Sequence, residues 1–333
     1  MFYRDINLPA VVEIGSFSLL SVDEILKSNH IYFEYKILFT QKELLNQYKD
    51  YFEVDSFYEI VYIEGGKFEE TELDLISDYK EDALFIAFGG GSIIDFVKMF
   101  ARKWNRPYVT IPSTLSNDAI YSPIARLTKE GIKNSYGANS PIGIIINTQI
   151  IKKSPEILLM AGVGDLVSNL SAYQDCQLAI VDKKDMIDSF SIMLSRMSVD
   201  SILKFGRADI YTDEFIEQLA MGLIMSGLSM VLAHSSRPAS GAEHMISHAI
   251  DQYFPHQSTY HGIQVAWAQL LLEKEIRKSN NYQLLYDFYN EIGILDVIKN
   301  NKQLSKPFFY ELLPYAIKTR NRYTVLNKIG LTQ

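Results

Sequence analysis

Short apolar runs alternate with helical stretches along the first half of the chain. Residues 35–40 (YKILFT), 58–63 (YEIVYI), 83–88 (ALFIAF) and 108–111 read as strands, the last ending at Pro112. Between them, 43–51, the acidic 68–79 and 91–104 read as helices. Alternation at this interval predicts βαβ units around a parallel sheet. The strands lack polar alternation, which fits burial on both faces. A further strand pair, 124–128 and 142–146, closes this half, and the polar stretch 129–140 between them reads as a hairpin or loop.

The pattern changes at Pro155. Residues 155–179, 184–205, 213–233, 241–253, 262–278 and 282–292 all read as helices, and strand signals nearly vanish. The expected organisation is an α/β, Rossmann-like domain over residues 1–152 and an all-helical domain over 153–333. A chain of 333 residues, 47% hydrophobic and 22% charged, is long enough for two globular cores.

Charge and cysteine content narrow the function classes. A net charge of −8 argues against wholesale nucleic-acid binding, which needs a basic face. It leaves room for a small anion held by local groups. The single cysteine, Cys176, excludes an intramolecular disulfide and fits a reducing compartment. It lies in an apolar helical stretch and reads as a buried structural thiol. The N-terminus lacks a signal-peptide core, and no apolar run reads as long enough to span a bilayer, so a cytoplasmic protein without membrane partners is expected. The basic residues near the end (Lys299, Lys302, Lys306, Lys318, Arg320, Arg322, Lys328) read as a solvated helical surface.

Candidate chemistry concentrates where the histidines are. Five of the six lie between His234 and His261: His234, His244, His248, His256 and His261. Ser240 reads as the N-cap of a helix that places His244 and His248, four apart, on one side. Pro255 ends that helix, and His261 opens the next. Imidazole is a common metal ligand, although paired histidines at helical spacing also occur as satisfied polar groups. Asp165, in GVGDLV, is either a helix cap or the carboxylate that completes a set with His244 and His261. One carboxylate, two imidazoles and an open position is a catalytic metal pattern. It requires three distant segments to meet.

Two further loops follow strands. Gly89-Gly90-Gly91-Ser92 comes after the third strand and opens a helix that includes Asp95. Consecutive glycines let a ligand approach the backbone closely, and the helix start favours an anion such as a pyrophosphate. After the next strand, the loop Ser113-Thr114-Leu115-Ser116 brings the hydroxyls of Ser113, Thr114 and Ser116 beside the glycine loop, and Asp118 brings a carboxylate acceptor. Ser122 follows. In an open parallel sheet, ligands bind beyond the carboxyl ends of strands. A turn built on local backbone hydrogen bonds is the competing reading for 113–118.

These segments together resemble a known family. GGGSIID, PSTLSNDAIYSP, GVGDLVSNL, SSRPASGAEHMISHAID, TYHG and the late RYTVL are similar to the iron-containing alcohol dehydrogenase and dehydroquinate synthase-like superfamily, nearest its glycerol-1-phosphate dehydrogenase branch. The resemblance runs from about residue 35 to residue 326. It implies an NAD- or NADP-binding N-terminal domain, a helical C-terminal domain and an active site in a cleft. It implies metal ligation by Asp165, His244 and His261, with zinc the usual ion and iron or nickel in some relatives. It places Asp118 and His248 at the substrate, and Gly89–Asp95, Ser113–Ser116 and Ser122 at the cofactor. Many members carry an acidic residue after the second strand for the adenosine ribose; Gln41 stands there, which leaves NAD against NADP open.

The implied activity is metal-dependent oxidoreduction of a small polyol or polyol phosphate, foremost dihydroxyacetone phosphate and sn-glycerol 1-phosphate. Glycerol dehydrogenase on the free triol is the alternative, and a non-catalytic binding protein on this fold is a third reading. Assembly as a homo-oligomer stays open. Lys133, Arg237 and Lys318 are candidates for a substrate phosphate, with Arg237 equally suited to tying its loop to a carboxylate.

Overall fold

The computed structural model describes residues 8–17, 22–63 and 82–329. The helix expected at 68–79 lies outside the described residues. The chain divides into two compact units: Met1–Leu115 with Ala119–Ser154, and Ser116–Asp118 with Pro155–Gln333.

The first unit is built on a six-stranded sheet. In chain order its elements are β1 (Val11–Gly15), α1 (Val22–Ser28), β2 (Tyr35–Thr40), α2 (Lys42–Tyr48), β3 (Glu59–Tyr62), β4 (Ala83–Gly89), α3 (Gly91–Trp104), β5 (Tyr108–Pro112), β6 (Ile124–Lys129), β7 (Ile132–Gly137), β8 (Gly143–Asn147) and α4 (Thr148–Ile151). The sheet runs β1-β8-β5-β4-β2-β3, with every pairing parallel. All seven residues of β4 are buried, as a strand covered on both faces must be. On one face Leu84, Ile86 and Phe88 join Leu38, Val109, Ile111 and Ile145 in a single apolar cluster. Elsewhere Phe39, Phe85 and Phe100 pack ring against ring at 5.2–5.3 Å. Strand order reverses between β2 and β4, so the topological switch point falls where Gln41 and the glycine loop end their strands.

The strands at 124–128 and 142–146 prove to belong to different sheets. β6 folds back antiparallel onto β7 through Glu130 and Gly131, both at positive φ. That two-residue turn matches the right-handed twist of a hairpin. β8 instead lies between β5 and β1.

The second unit is helical: α5 (Glu156–Val167), α6 (Asn169–Val181), α7 (Ser189–Met197), α8 (Asp213–Ala233), α9 (Ala242–Tyr253), α10 (His261–Leu271), α11 (Asn281–Glu291), α12 (Ile294–Asn300) and α13 (Lys306–Thr319). A π-helical stretch, Leu272–Arg277, extends α10. The expected helix at 155–179 is interrupted at Ser168. The stretch at 184–205 keeps only α7, which starts at 189 because the Asp188 side chain accepts from Ser191 N at 2.8 Å. Ser240 is not the N-cap of α9. Asp175 accepts from Ala242 N at 2.7 Å and Glu243 from Gly241 N at 2.6 Å. A Cβ at Gly241 would lie 2.6 Å from the Asp175 carboxylate, so the carboxylates that cap this helix leave no space for a side chain. α8 passes the length and apolarity of a membrane span, contrary to the sequence expectation, but 67% of that window is buried within the protein. That burial is the mark of a core helix.

α5 and α10 cross backbone to backbone. A Cβ at Gly164 would fall 2.3 Å from the Gly262 carbonyl oxygen, and one at Gly262 only 1.7 Å from the Ala161 carbonyl oxygen. No side-chain rotation relieves a clash with backbone. We expect Gly262→Ala to destabilise the protein by about 3 kcal/mol or more, lowering Tm by roughly 6–12 °C on thermal unfolding. A variant as stable as the parent would refute this packing.

Candidate metal and substrate site

The helix crossing brings two donors together. Asp165 follows Gly164 on α5, and His261 precedes Gly262 at the first position of α10. α9 supplies His244. The ligand atoms of Asp165, His244 and His261 all lie within 4.8 Å of one another. Asp165 Oδ1 is 3.4 Å from His244 Nε2 and 3.7 Å from His261 Nε2. Two donors at zinc-ligand distances of about 2.05 Å in a tetrahedron lie about 3.3 Å apart, so the spacing suits an ion between them.

The other face of each imidazole is occupied. His244 Nδ1 meets Glu243 Oε1 at 3.0 Å, and His261 Nδ1 meets Ser247 Oγ at 2.8 Å. Ser247 Oγ donates in turn to Gln264 Oε1 at 2.8 Å. With Nδ1 engaged, Nε2 of each ring faces the donor cluster, the usual outer-shell arrangement of metal-ligating histidines. Asp165 Oδ2 accepts from Asp118 N at 3.1 Å, which fixes the carboxylate and brings Asp118 to the cluster. Asp118 Oδ2 accepts from Ser226 Oγ. The His248 ring stacks on His261 at 16°, with centroids 5.8 Å apart. Arg320 Nη2 approaches His248 Nε2 to 3.4 Å. His234 instead closes α8 in a left-handed conformation, and His256 sits exposed in a 3₁₀ turn.

Burial alone would lower the His244 pKa, but the bonds and charges of Asp165 and Glu243 outweigh it and lift the value to about 9. Burial would likewise raise the Glu243 pKa; the bond to His244 holds it below the ordinary carboxylate value. Excess negative charge focused on one imidazole is what a bound cation would neutralise.

In the first unit, Gly90 is the N-cap of α3 and makes no side-chain cap. Ser113 N donates to Gly89 O at 3.0 Å, which joins the two loops beyond β4 and β5. Gly89 is needed for packing, since its Cβ would meet Ile93 at 2.3 Å. Gly90 is different: its φ of −75° suits any residue, and a Cβ there would meet only Thr114 at 3.6 Å. Thr114 Oγ1 accepts from Ser154, and Leu115 is fully buried. Asp95 and Ser122 are both buried. Both bond the buried Lys98, at 3.0 and 3.3 Å, and Asp95 also accepts from Arg126 N. Gln41, partly exposed, begins α2 at the switch point and makes no cap bond.

Of the two roles open to Arg237, the contacts support the structural one. It is 6% exposed, its Nη1 donates to the Tyr323 carbonyl at 2.9 Å, and its Nε is 3.3 Å from Asp185. Lys318 and Lys133 are exposed. Cys176 is buried, which pushes its thiol up to about 12 and leaves it inert at neutral pH. The sequence does not mark Glu243 or Ser247, and it presents Arg320 as surface charge, whereas the structure half-buries it beside His248. Glu243 adjoins His244 in sequence, and Ser247 lies three residues after it on the same helix.

Comparison with known proteins agrees with this architecture. Residues 53–155 match the iron-containing alcohol dehydrogenase family. The chain is 36% identical to glycerol-1-phosphate dehydrogenase (NAD(P)+) of Methanococcus maripaludis strain C7 over 82% of each chain. It is 33% identical to the enzyme of that name from Archaeoglobus fulgidus over 100% of this chain and 96% of the other. A probable glycerol dehydrogenase from Sinorhizobium meliloti 1021 shares the fold, with a TM-score of 0.75 at 16% identity, covering 97% of this chain and 93% of that one. The chain belongs to the glycerol-1-phosphate dehydrogenase family of iron-containing alcohol dehydrogenases.

The raised His244 pKa gives the site a pH signature. Below about 9 the imidazole of the metal-free protein is protonated, and an ion must displace that proton. Zinc binding at pH 7.5 should therefore release about one proton more than at pH 10, measured by calorimetry in buffers of different ionisation enthalpy. His261→Ala should abolish stoichiometric zinc. Undiminished zinc in that variant would exclude this donor set.

Proposed function

We propose that this chain catalyses the reversible, NAD(P)-dependent reduction of dihydroxyacetone phosphate to sn-glycerol 1-phosphate. The observation that carries the reading is the Asp165, His244 and His261 cluster in a chain similar end to end to glycerol-1-phosphate dehydrogenases. A divalent ion held by these three residues would supply a Lewis acid for the substrate carbonyl, and the nicotinamide would supply the hydride.

The remaining chemistry belongs to the chain. Glu243 and Ser247 hold the imidazoles with Nε2 inward. Asp118 accepts a hydrogen bond from a substrate hydroxyl and so fixes its orientation. His248, at Nε2, moves the proton that the product hydroxyl gains. Its ring lies within 6.2 Å of both donor imidazoles, centroid to centroid. Gly89–Ser92 and Ser113–Ser116 hold the coenzyme, with the pyrophosphate at the start of α3 and Gln41 near the adenosine ribose. A neutral amide does not repel a 2′-phosphate, so both NADH and NADPH are used.

Two measurements test this reading. Gly90→Val should keep the parent's stability, because the backbone angle tolerates a side chain and the space is open. It should weaken NADH binding at least tenfold, since the isopropyl group fills the pyrophosphate position. Equal affinity would make the loop a turn and nothing more. For the reaction, NADH oxidation with dihydroxyacetone phosphate should exceed that with dihydroxyacetone by orders of magnitude in kcat/KM. The opposite preference would install glycerol dehydrogenase in its place.

A further inference from the structure

Three guanidinium groups gather on the second unit, and two of them brace the backbone. Arg322 Nη2 donates to Ser236 Oγ at 2.8 Å, and its Nη1 to the Ser240 carbonyl. Arg237 Nη1 donates in the opposite sense to the Tyr323 carbonyl. Each arginine thus ties the other's segment, so 235–240 and 320–325 are laced together. Crowding of like charge accompanies this. Burial first, then Arg320 and Arg237, hold the Arg322 pKa down to about 10.

Arg320 takes a different direction. It is the C-cap residue of α13, in an extended conformation that turns the chain away from the helix axis. Thr319 Oγ1 reaches Met245 O on α9, so the end of α13 lies against the histidine helix. The Arg320 guanidinium then meets His248 Nε2 at 3.4 Å. His248 in turn stands beside His244 and His261, with centroids at 6.2 and 5.8 Å. Arg320 is therefore one imidazole removed from the donor cluster. A three-carbon substrate held at its carbonyl by that cluster would extend its phosphate over the same interval.

We propose that Arg320 anchors the phosphate of the substrate, an assignment that rests on the polyol-phosphate reading above. A dianion is poorly held by neutral walls, and the planar guanidinium fork matches phosphate oxygens in pairs. Arg322, bonded to a carbonyl and a hydroxyl, adds to the local positive potential without leaving them, while Asp185 offsets part of the charge of Arg237. Arg237, the candidate suggested by sequence, bonds Tyr323 O through Nη1 and pairs with Asp185 through Nε, while its buried Nη2 makes no hydrogen bond. Lys318, two residues from Arg320, is exposed.

The test compares the zinc-loaded parent with Arg320→Ala, Arg320→Lys and the control Lys318→Ala. Arg320→Ala should raise KM for dihydroxyacetone phosphate about 10- to 150-fold, the loss expected for a charged hydrogen-bonded contact. NADH affinity and zinc content should stay within about threefold, and the fall in kcat/KM for dihydroxyacetone, from the lost contact with His248 Nε2, should be far smaller than the fall for the phosphate ester. Arg320→Lys should recover part of the affinity, because a point charge replaces a fork. Lys318→Ala should match the parent. Calorimetric titration with sn-glycerol 1-phosphate gives the same comparison without turnover, and covers the case in which dihydroxyacetone is reduced too slowly to measure. Unchanged affinity for the phosphate ester in Arg320→Ala, or equal loss for NADH and the ester, overturns the assignment of Arg320 alone. A parent that reduces only the unphosphorylated ketone overturns both the assignment and the activity it rests on.

Discussion

The donor cluster depends on a place where two helices touch without side chains between them. Gly164 and Gly262 let α5 and α10 approach until backbone meets backbone. Asp165 and His261 are the immediate neighbours of those glycines. A wider crossing would separate a carboxylate oxygen from an imidazole nitrogen now 3.7 Å away. Interiors are close-packed and shift by discrete steps, so even an added methyl is felt at that distance. The glycines therefore act on the site through geometry, although neither has a functional group.

α9 is held by a different force. Asp175 accepts from Ala242 N, from Val325 N at 2.9 Å and pairs with Arg277 Nη2 at 2.8 Å. Arg277 also pairs with Glu273 in the π-helical stretch at 2.9 Å. Burial would lower the Arg277 pKa, but Asp175 and Glu273 raise it, so the guanidinium stays charged. A buried ion network of this kind adds little net stability against an apolar core of similar volume, yet breaking one member is costly. Its value here is directional. One carboxylate fixes the start of the helix that carries His244 and His248, and the same carboxylate fixes the segment that follows Arg320 and Arg322. The histidines and the arginines thus share one reference point.

Much of this was legible from residue order. Continuous apolar strands announced the parallel sheet, and α3 and α8 fall where periodicity placed them, because each begins and ends on a local signal. Asp165, His244 and His261 were proposed as a set on residue type, and the structure brings them together. What escaped the sequence was decided by tertiary contact. α9 looked as if Ser240 capped it, but two carboxylates, one of them 67 residues away in the chain, take that role. Nothing local shows that Lys98 turns into the core to meet Asp95 and Ser122. α13 contains Pro314 and begins with Lys306-Pro307, and proline at a helix start is favourable rather than disruptive.

The arginines illustrate why charge counting fails at a site. A chain with a net charge of −8 gives no hint of a cationic pocket, and Arg320 and Arg322 read as ordinary surface charge. Net charge describes the field far from the molecule. Within a few ångströms the dielectric is low and the field belongs to whichever groups are oriented there. Here Arg322 takes its direction from the neutral Ser240 carbonyl and Ser236 hydroxyl, which leave its charge in place, whereas Arg237 also stands 3.3 Å from the Asp185 carboxylate. Carbonyl partners stabilise the direction of an arginine without cancelling its charge as a carboxylate would. That choice keeps positive potential beside His248 in a protein that is otherwise acidic.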